Sequence, residues 1–185
     1  MQPNWIIPGT TLTIKRSDAC RAEGLFQSMF LTGGLSLSQV ANISGLEPYA
    51  IQNWVKRGFL SSPKQKHYDM DQVCRILTIN SLRDVLTLEE ICKLLASVNG
   101  QLDSEADDII GDAQLYFLFV DLAGRARDFA DTEEALRVIW EGLAEYKEPF
   151  PGAKERIAQA LRVMLIGWLA TRMVQNARRL LNEKK

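Results

Sequence analysis

The chain has 185 residues, of which 46% are apolar and 24% charged, enough for one large domain or two small ones with a buried core. Its 22 basic and 23 acidic residues leave a formal charge of −1, which excludes a polybasic tail or a wholly basic nucleic-acid coat. Cys20, Cys74 and Cys92 are widely spaced and odd in number, so they offer neither a disulfide framework nor a paired-cysteine zinc site, and a reducing cytosol fits best. The N-terminus has no targeting pattern, and the longest apolar run, Val163 to Ala170, falls far below the ~18 residues needed to cross a bilayer. A soluble, cytoplasmic protein is expected.

Charge is unevenly distributed. Residues 101–146 carry −9 and residues 147–185 carry +6, whereas 1–35 and 36–100 carry +1 each. An acidic stretch followed by a basic one suggests that the two pack together, within one chain or across a homodimer, although exposed pairs contribute only ~0–1 kcal/mol each.

Helix signals dominate, and alternating strand patterns are nearly missing. Ser17-Asp18 can open a helix carrying Leu25, Phe26, Met29 and Phe30 on one side and stopping at Gly33-Gly34. Ser36 and Gln39 form a capping box for a short helix that ends near Ser44. Gly45-Leu46-Glu47 makes a tight turn, and Pro48 stands at a first-turn position, where its lack of an amide proton costs nothing. A second helix runs to about Arg57, where Gly58 stops it. Two further capping boxes, Asp69 with Gln72 and Thr87 with Glu90, open helices over about 69–84 and 87–98.

After Asn99-Gly100 the composition turns acidic, which marks a boundary and divides the chain into an N-terminal arm (1–32), a head (33–100) and a helical domain (101–185). In that last part, helices are predicted from Ser104 through Leu122, from about Thr132 to Tyr146, and from about Ala153 to Asn182. The final one carries an apolar stripe of Ile157, Leu161, Met164, Trp168 and Leu169. Asp103, Glu105, Asp107, Asp108 and Asp112 lack calcium-loop spacing and read as first-turn acids. The run Leu115-Tyr116-Phe117-Leu118-Phe119 reads as core.

Helix, glycine turn, helix and a short loop before a capped helix is the order of a helix-turn-helix with a small wing. On the second helix Ile51, Trp54 and Val55 fall at i, i+3 and i+4 and face the core, which leaves Tyr49, Gln52, Asn53 and Lys56 on the opposite side. Gln and Asn can pair two hydrogen bonds with adenine, Lys can meet guanine or phosphate, and a Tyr hydroxyl suits phosphate. From Gln52 through Arg83 six bases outnumber two acids, and Lys64-Gln65-Lys66-His67-Tyr68 forms a compact basic loop.

At these residues the stretch Leu35 to Ala96 resembles the DNA-binding head of the MerR (mercury-resistance regulator) family. The resemblance rests on Leu37–Ser44, Gly45, Pro48–Arg57, Gly58-Phe59-Leu60, Lys66-His67-Tyr68 and Ile79-Asn80-Ser81-Leu82-Arg83 followed by Leu88-Glu89-Glu90-Ile91. It implies a mainly α fold, a MerR-like winged helix-turn-helix domain followed by a helical domain. It also implies binding of double-stranded DNA by a homodimer through Tyr49, Gln52, Asn53, Lys56, Lys66 and Tyr68, to which the charge of the basic loop adds Lys64. The chain departs from the usual head in having Gln52-Asn53-Trp54 where that family carries Arg-Tyr-Tyr, Lys66 in place of the wing arginine, and a shorter wing. More narrowly, Gln52 through Gly58, Arg75 through Asn80 and Asp107-Asp108-Ile109-Ile110 are similar to a bacterial family catalogued only as a domain of unknown function.

Catalysis has little to stand on: there is no Gly-rich phosphate loop, no metal-ligand spacing and no histidine besides His67. Neither a cofactor nor a metal is expected. The alternative to a DNA-binding regulator is a protein-interaction module on the same scaffold, with Trp54 and Phe59 shaping an apolar groove.

Overall fold

The computed structural model describes residues 5–99, 109–126 and 132–182, with the backbone alone for 132–135. The architecture is mainly helical. Two short antiparallel strand pairs accompany the helices: β1 (Trp5–Ile6) with β2 (Thr13–Ile14), and β3 (Leu35–Ser36) with β4 (His67–Tyr68). A 3-10 helix (Arg16–Arg21) leads into α1 (Ala22–Met29), followed by α2 (Leu37–Ser44), α3 (Pro48–Lys56), α4 (Met70–Leu82) and α5 (Leu88–Asn99). Then come α6 (Asp112–Arg125), α7 (Thr132–Gly142) and α8 (Ala153–Asn182).

All three expected capping boxes form. The Ser36 hydroxyl accepts from the Gln39 amide, Asp69 accepts from the Gln72 amide at 2.9 Å, and Thr87 and Glu90 exchange the same pair of bonds. Gly45 ends α2 in the left-handed region (φ 68°), and Pro48 occupies the first turn of α3. Burial on α4 is nearly all-round, with Val73 through Ile79 inside, so α4 is the central strut of the fold.

Several expectations are corrected. The helix after Ser17-Asp18 begins as a 3-10 turn, and Leu25 points to solvent while Phe26 is fully buried. The N-terminal arm contains a hairpin that no alternating pattern announced, and Thr11 docks it on α2 through bonds to the Asn42 and Ile43 carbonyls. The helix expected from Ser104 starts at Asp112, and the acids at 103–108 lie outside the described residues. The second predicted tail helix stops at Gly142, four residues short of Tyr146.

The core is one continuous cluster from Trp5 to Trp168, so the composition shift after Asn99-Gly100 does not interrupt the packing. α6 lies along α4, and α8 packs against α4, α5, α6 and α7. Two polar devices fix α6 at its ends. Asp71 of α4 accepts from the Ala113 amide at 2.8 Å, and the Arg16 guanidinium donates to the carbonyls of Ala123, Gly124 and Ala126. Helix ends leave just such amides and carbonyls unpaired. The acidic and basic stretches do meet as packed helices, yet Arg178 of α8 pairs with Asp84, at the end of α4, while Arg137 pairs with Glu141 inside the acidic stretch. Among the described residues one helix, α8, is long and apolar enough to cross a membrane, and half of its most apolar window is buried inside the fold.

Candidate nucleic-acid interface

The candidate face is built on α3. Ile51 and Trp54 anchor it in the core and Val55 is half-buried, so helical geometry turns Tyr49, Gln52, Asn53 and Lys56 outward, where all four are exposed. Tyr49 reaches 71% exposure, far beyond what a large aromatic needs for packing. Among the described residues no protein group takes up the side chains of Gln52, Asn53 or Lys56, which leaves their donors and acceptors available.

The connection from α3 to α4 is held from below by α4. Gln72 donates to the Ser61 hydroxyl at 2.9 Å and the Ser62 carbonyl at 3.0 Å, and Arg75 donates to the Phe59 carbonyl at 3.3 Å. The segment then turns back at Lys64–His67. There the His67 amide donates to the Lys64 carbonyl at 2.9 Å, and Gln65 (φ 50°) and Lys66 (φ 65°) both occupy the left-handed region. Two successive positive φ values are the pattern of a type I′ hairpin turn, for which Asn-Gly is the usual sequence. A Gln-Lys pair gives no such signal, and this is why a loop rather than a hairpin was legible. Pairing of Leu35 with Tyr68 and Ser36 with His67 joins the hairpin to the start of α2.

Lys64, Lys66 and His67 are exposed on that turn, and neither lysine has an ion-pair partner among the described residues. Tyr68 is different. It is only 3% exposed, and burial raises its hydroxyl above the ordinary tyrosine value, so its ring anchors the hairpin to the core. Trp54 is likewise core, and the Phe59 ring lies under the Arg57 guanidinium at 4.6 Å, so the two do not form an open apolar groove.

Arg57 is the C-cap residue of α3, and its sequence context assigns it no role. It stacks on Phe59 and pairs with Glu89 at 2.8 Å, which ties the end of α3 to α5. The two acids of this basic window are engaged at helix starts, Asp69 on α4 and Asp71 on α6, where the positive end of a helix offsets their charge. Among the described residues no group of three or more His, Cys, Asp or Glu is placed to hold a metal ion.

Residues 33–119, just under half of the chain, match the family described as Domain of unknown function (DUF1836). The match begins two residues before β3 and ends inside α6, so it contains the whole candidate face and the Asp71–Ala113 and Arg75–Asp112 contacts. No curated protein and no solved structure matches the chain.

Proposed function

We propose that the chain is a sequence-specific DNA-binding transcription regulator acting in the cytoplasm, with a MerR-like winged helix-turn-helix head. In this reading α2, the Gly45 turn and α3 form the helix-turn-helix. α3 enters the major groove, and the Lys64–His67 hairpin acts as a short wing against the backbone. The observation that carries it is the outward, unclaimed face of α3, with Tyr49, Gln52, Asn53 and Lys56 opposite the buried Ile51 and Trp54. Gln52 and Asn53 are the base readers. Tyr49, Lys56, Lys64 and Lys66 contact phosphate or groove edges.

Reading a palindrome needs two heads about one helical turn, ~34–36 Å, apart, and so a dimer. α8 supplies a surface for a second copy: Ile166, Met173 and Leu180 are all exposed and recur every seven residues. That spacing keeps the three on one face of the helix and repeats one of the two apolar positions of a coiled-coil heptad. The half-buried Leu169, Ala170 and Val174 flank it.

Selection of the intact chain on a pool of randomised duplexes tests the reading. The expected outcome is enrichment of a palindromic site; recovery no different from that on bare support contradicts it.

A further inference from the structure

α3 packs chiefly on α2, so whatever fixes the end of α2 fixes α3 as well. The last four carbonyls of a helix have no partner inside it. In α2 these belong to Ala41, Asn42, Ile43 and Ser44. The Gly45 amide takes the first at 2.8 Å, the usual work of a glycine cap. The other three are taken from outside the two helices and their turn. Thr11, in the N-terminal hairpin, donates its hydroxyl to the Asn42 carbonyl at 2.9 Å and its amide to the Ile43 carbonyl at 2.8 Å. Asn80 of α4 donates its side-chain amide to the Ser44 carbonyl at 2.7 Å.

The same Asn80 nitrogen donates to the Gly9 carbonyl at 2.9 Å, so one amide group ties both the hairpin and the end of α2 to α4, with both of its protons in use. The hairpin is anchored in its turn. The buried Tyr116 of α6 donates its hydroxyl to the Pro8 carbonyl at 2.8 Å, and the Gly9 backbone lies against the Leu77 carbonyl of α4. Within the loop, the Thr10 hydroxyl donates to the Ile7 carbonyl and accepts from the Leu12 amide, each at 3.0 Å. Thr11 is thus presented by a closed, anchored turn, and its methyl stands beside Gly45, 3.0 Å from where a Cβ would be. The stretch 33–100 does not contain this half of the cap on its own turn.

We infer, on the reading of α3 as the DNA-contacting helix, that Thr11 and Asn80 are positioning residues. Through the α2 backbone they set the pose in which α3 presents Gln52 and Asn53, and with it the discrimination between bases. Base edges are recognised by paired hydrogen bonds of strict geometry, whereas a lysine meets phosphate through a flexible stem. Loosening the cap therefore blurs base recognition before it weakens phosphate binding.

Thr11→Val, Thr11→Ser and Asn80→Ala are compared, as full chains, with Ile139→Val, a core change in α7 that lowers stability without touching the cap. Amide exchange of the free proteins needs no DNA. In Thr11→Val and Asn80→Ala it should quicken at Gly45 and at Gln52 to Val55 by about threefold or more beyond any rise at Leu95 and Val98 of α5. Thr11→Ser should return to the parent pattern, and Ile139→Val should not favour α3 over α5. On the selected duplex and its single-base variants, Thr11→Val should lose about threefold or more of the parent's discrimination while keeping its salt slope, and Thr11→Ser should keep both. Exchange that rises no more in α3 than in α5 overturns the inference whatever the duplex does. Undiminished discrimination in both Thr11→Val and Asn80→Ala, on a duplex that the parent reads, also overturns it and leaves the DNA reading intact. Faster exchange confined to α3 and its turn, in a chain that selects no duplex, supports the cap as the device that holds α3 and removes the DNA reading alone.

Discussion

Arg75 on α4 places Nη1 3.2 Å from Asp112 Oδ2 on α6, with the two side chains only 7% and 16% exposed. The same guanidinium donates through Nε to the Phe59 carbonyl, so one residue joins the first turn of α6 to the connection that carries the hairpin. Breaking a withdrawn pair leaves an uncompensated charge, whereas replacing both members with apolar groups is often neutral. Arg75→Ala should therefore cost on the order of 3 kcal/mol in urea unfolding. The double replacement Arg75→Met with Asp112→Leu should be less destabilised than Arg75→Ala alone. Equal losses in the two proteins would show that the pair is not the reason.

A backbone contact gives a sharper stability test. Gly9 has φ 72°, and a Cβ there would collide with the Leu77 carbonyl in the middle of α4. Gly33 also has a positive φ, 101°, but faces open space. Gly33→Ala is expected to lose roughly 1–2 kcal/mol, the conformational penalty alone. Gly9→Ala should lose clearly more and should loosen the N-terminal hairpin, visible as faster amide exchange at Ile7 and Thr10. Similar losses at both positions would contradict the contact.

Thiol chemistry should separate the three cysteines. Cys20 is exposed, Cys92 half-buried and Cys74 fully buried. Burial first, then the nearby carboxylates of Asp71 and Asp112, push the Cys74 thiol well above its ordinary value, so it stays protonated and unreactive. Burial also raises Cys92. With a chromogenic disulfide reagent at pH 8, one equivalent should react fast at Cys20, Cys92 more slowly, and Cys74 only on unfolding. Fast reaction of Cys74 in the folded protein would contradict its placement.

The dimer surface on α8 has its own test. Met173 is 74% exposed in the middle of the Ile166–Met173–Leu180 series. Met173→Glu should keep the helical circular-dichroism spectrum of the parent, because Met173 is exposed and packs against nothing in its own fold, while its melting temperature should fall to the extent that the dimer stabilises the folded chain. It should convert a dimer into a monomer in sedimentation at micromolar concentration. A monomeric parent chain would remove the two-headed reading.

The local elements were legible because their signals are local. Ser36, Asp69 and Thr87 announced three helix starts, and the i, i+3, i+4 spacing of Ile51, Trp54 and Val55 announced which side of α3 turns out. What sequence could not supply was convergence. Nothing near Arg16 says that it will cap α6 more than a hundred residues later, and nothing near Thr11 says that it will close the end of α2. The fate of Tyr68 was illegible for a similar reason. An aromatic at the end of a basic loop suits phosphate equally well whether it faces out or in, and only pairing of Leu35 with Tyr68 decides for the core. The hairpin was hidden because Gln65 and Lys66 adopt a turn that their residue types disfavour.

The most direct measurement of the central claim is equilibrium binding of the full chain to its selected duplex, and to a set of single-base variants of it, between 50 and 200 mM salt. The face on α3 predicts a fall in affinity on the order of tenfold or more across that range. Asn53→Ala or Gln52→Ala should lose about 1–3 kcal/mol confined to one base pair, while Lys66→Ala should weaken all duplexes alike and reduce the salt slope by about one. Affinity indifferent to salt, or Asn53→Ala and Lys56→Ala proteins that bind every duplex as the parent does, would contradict it.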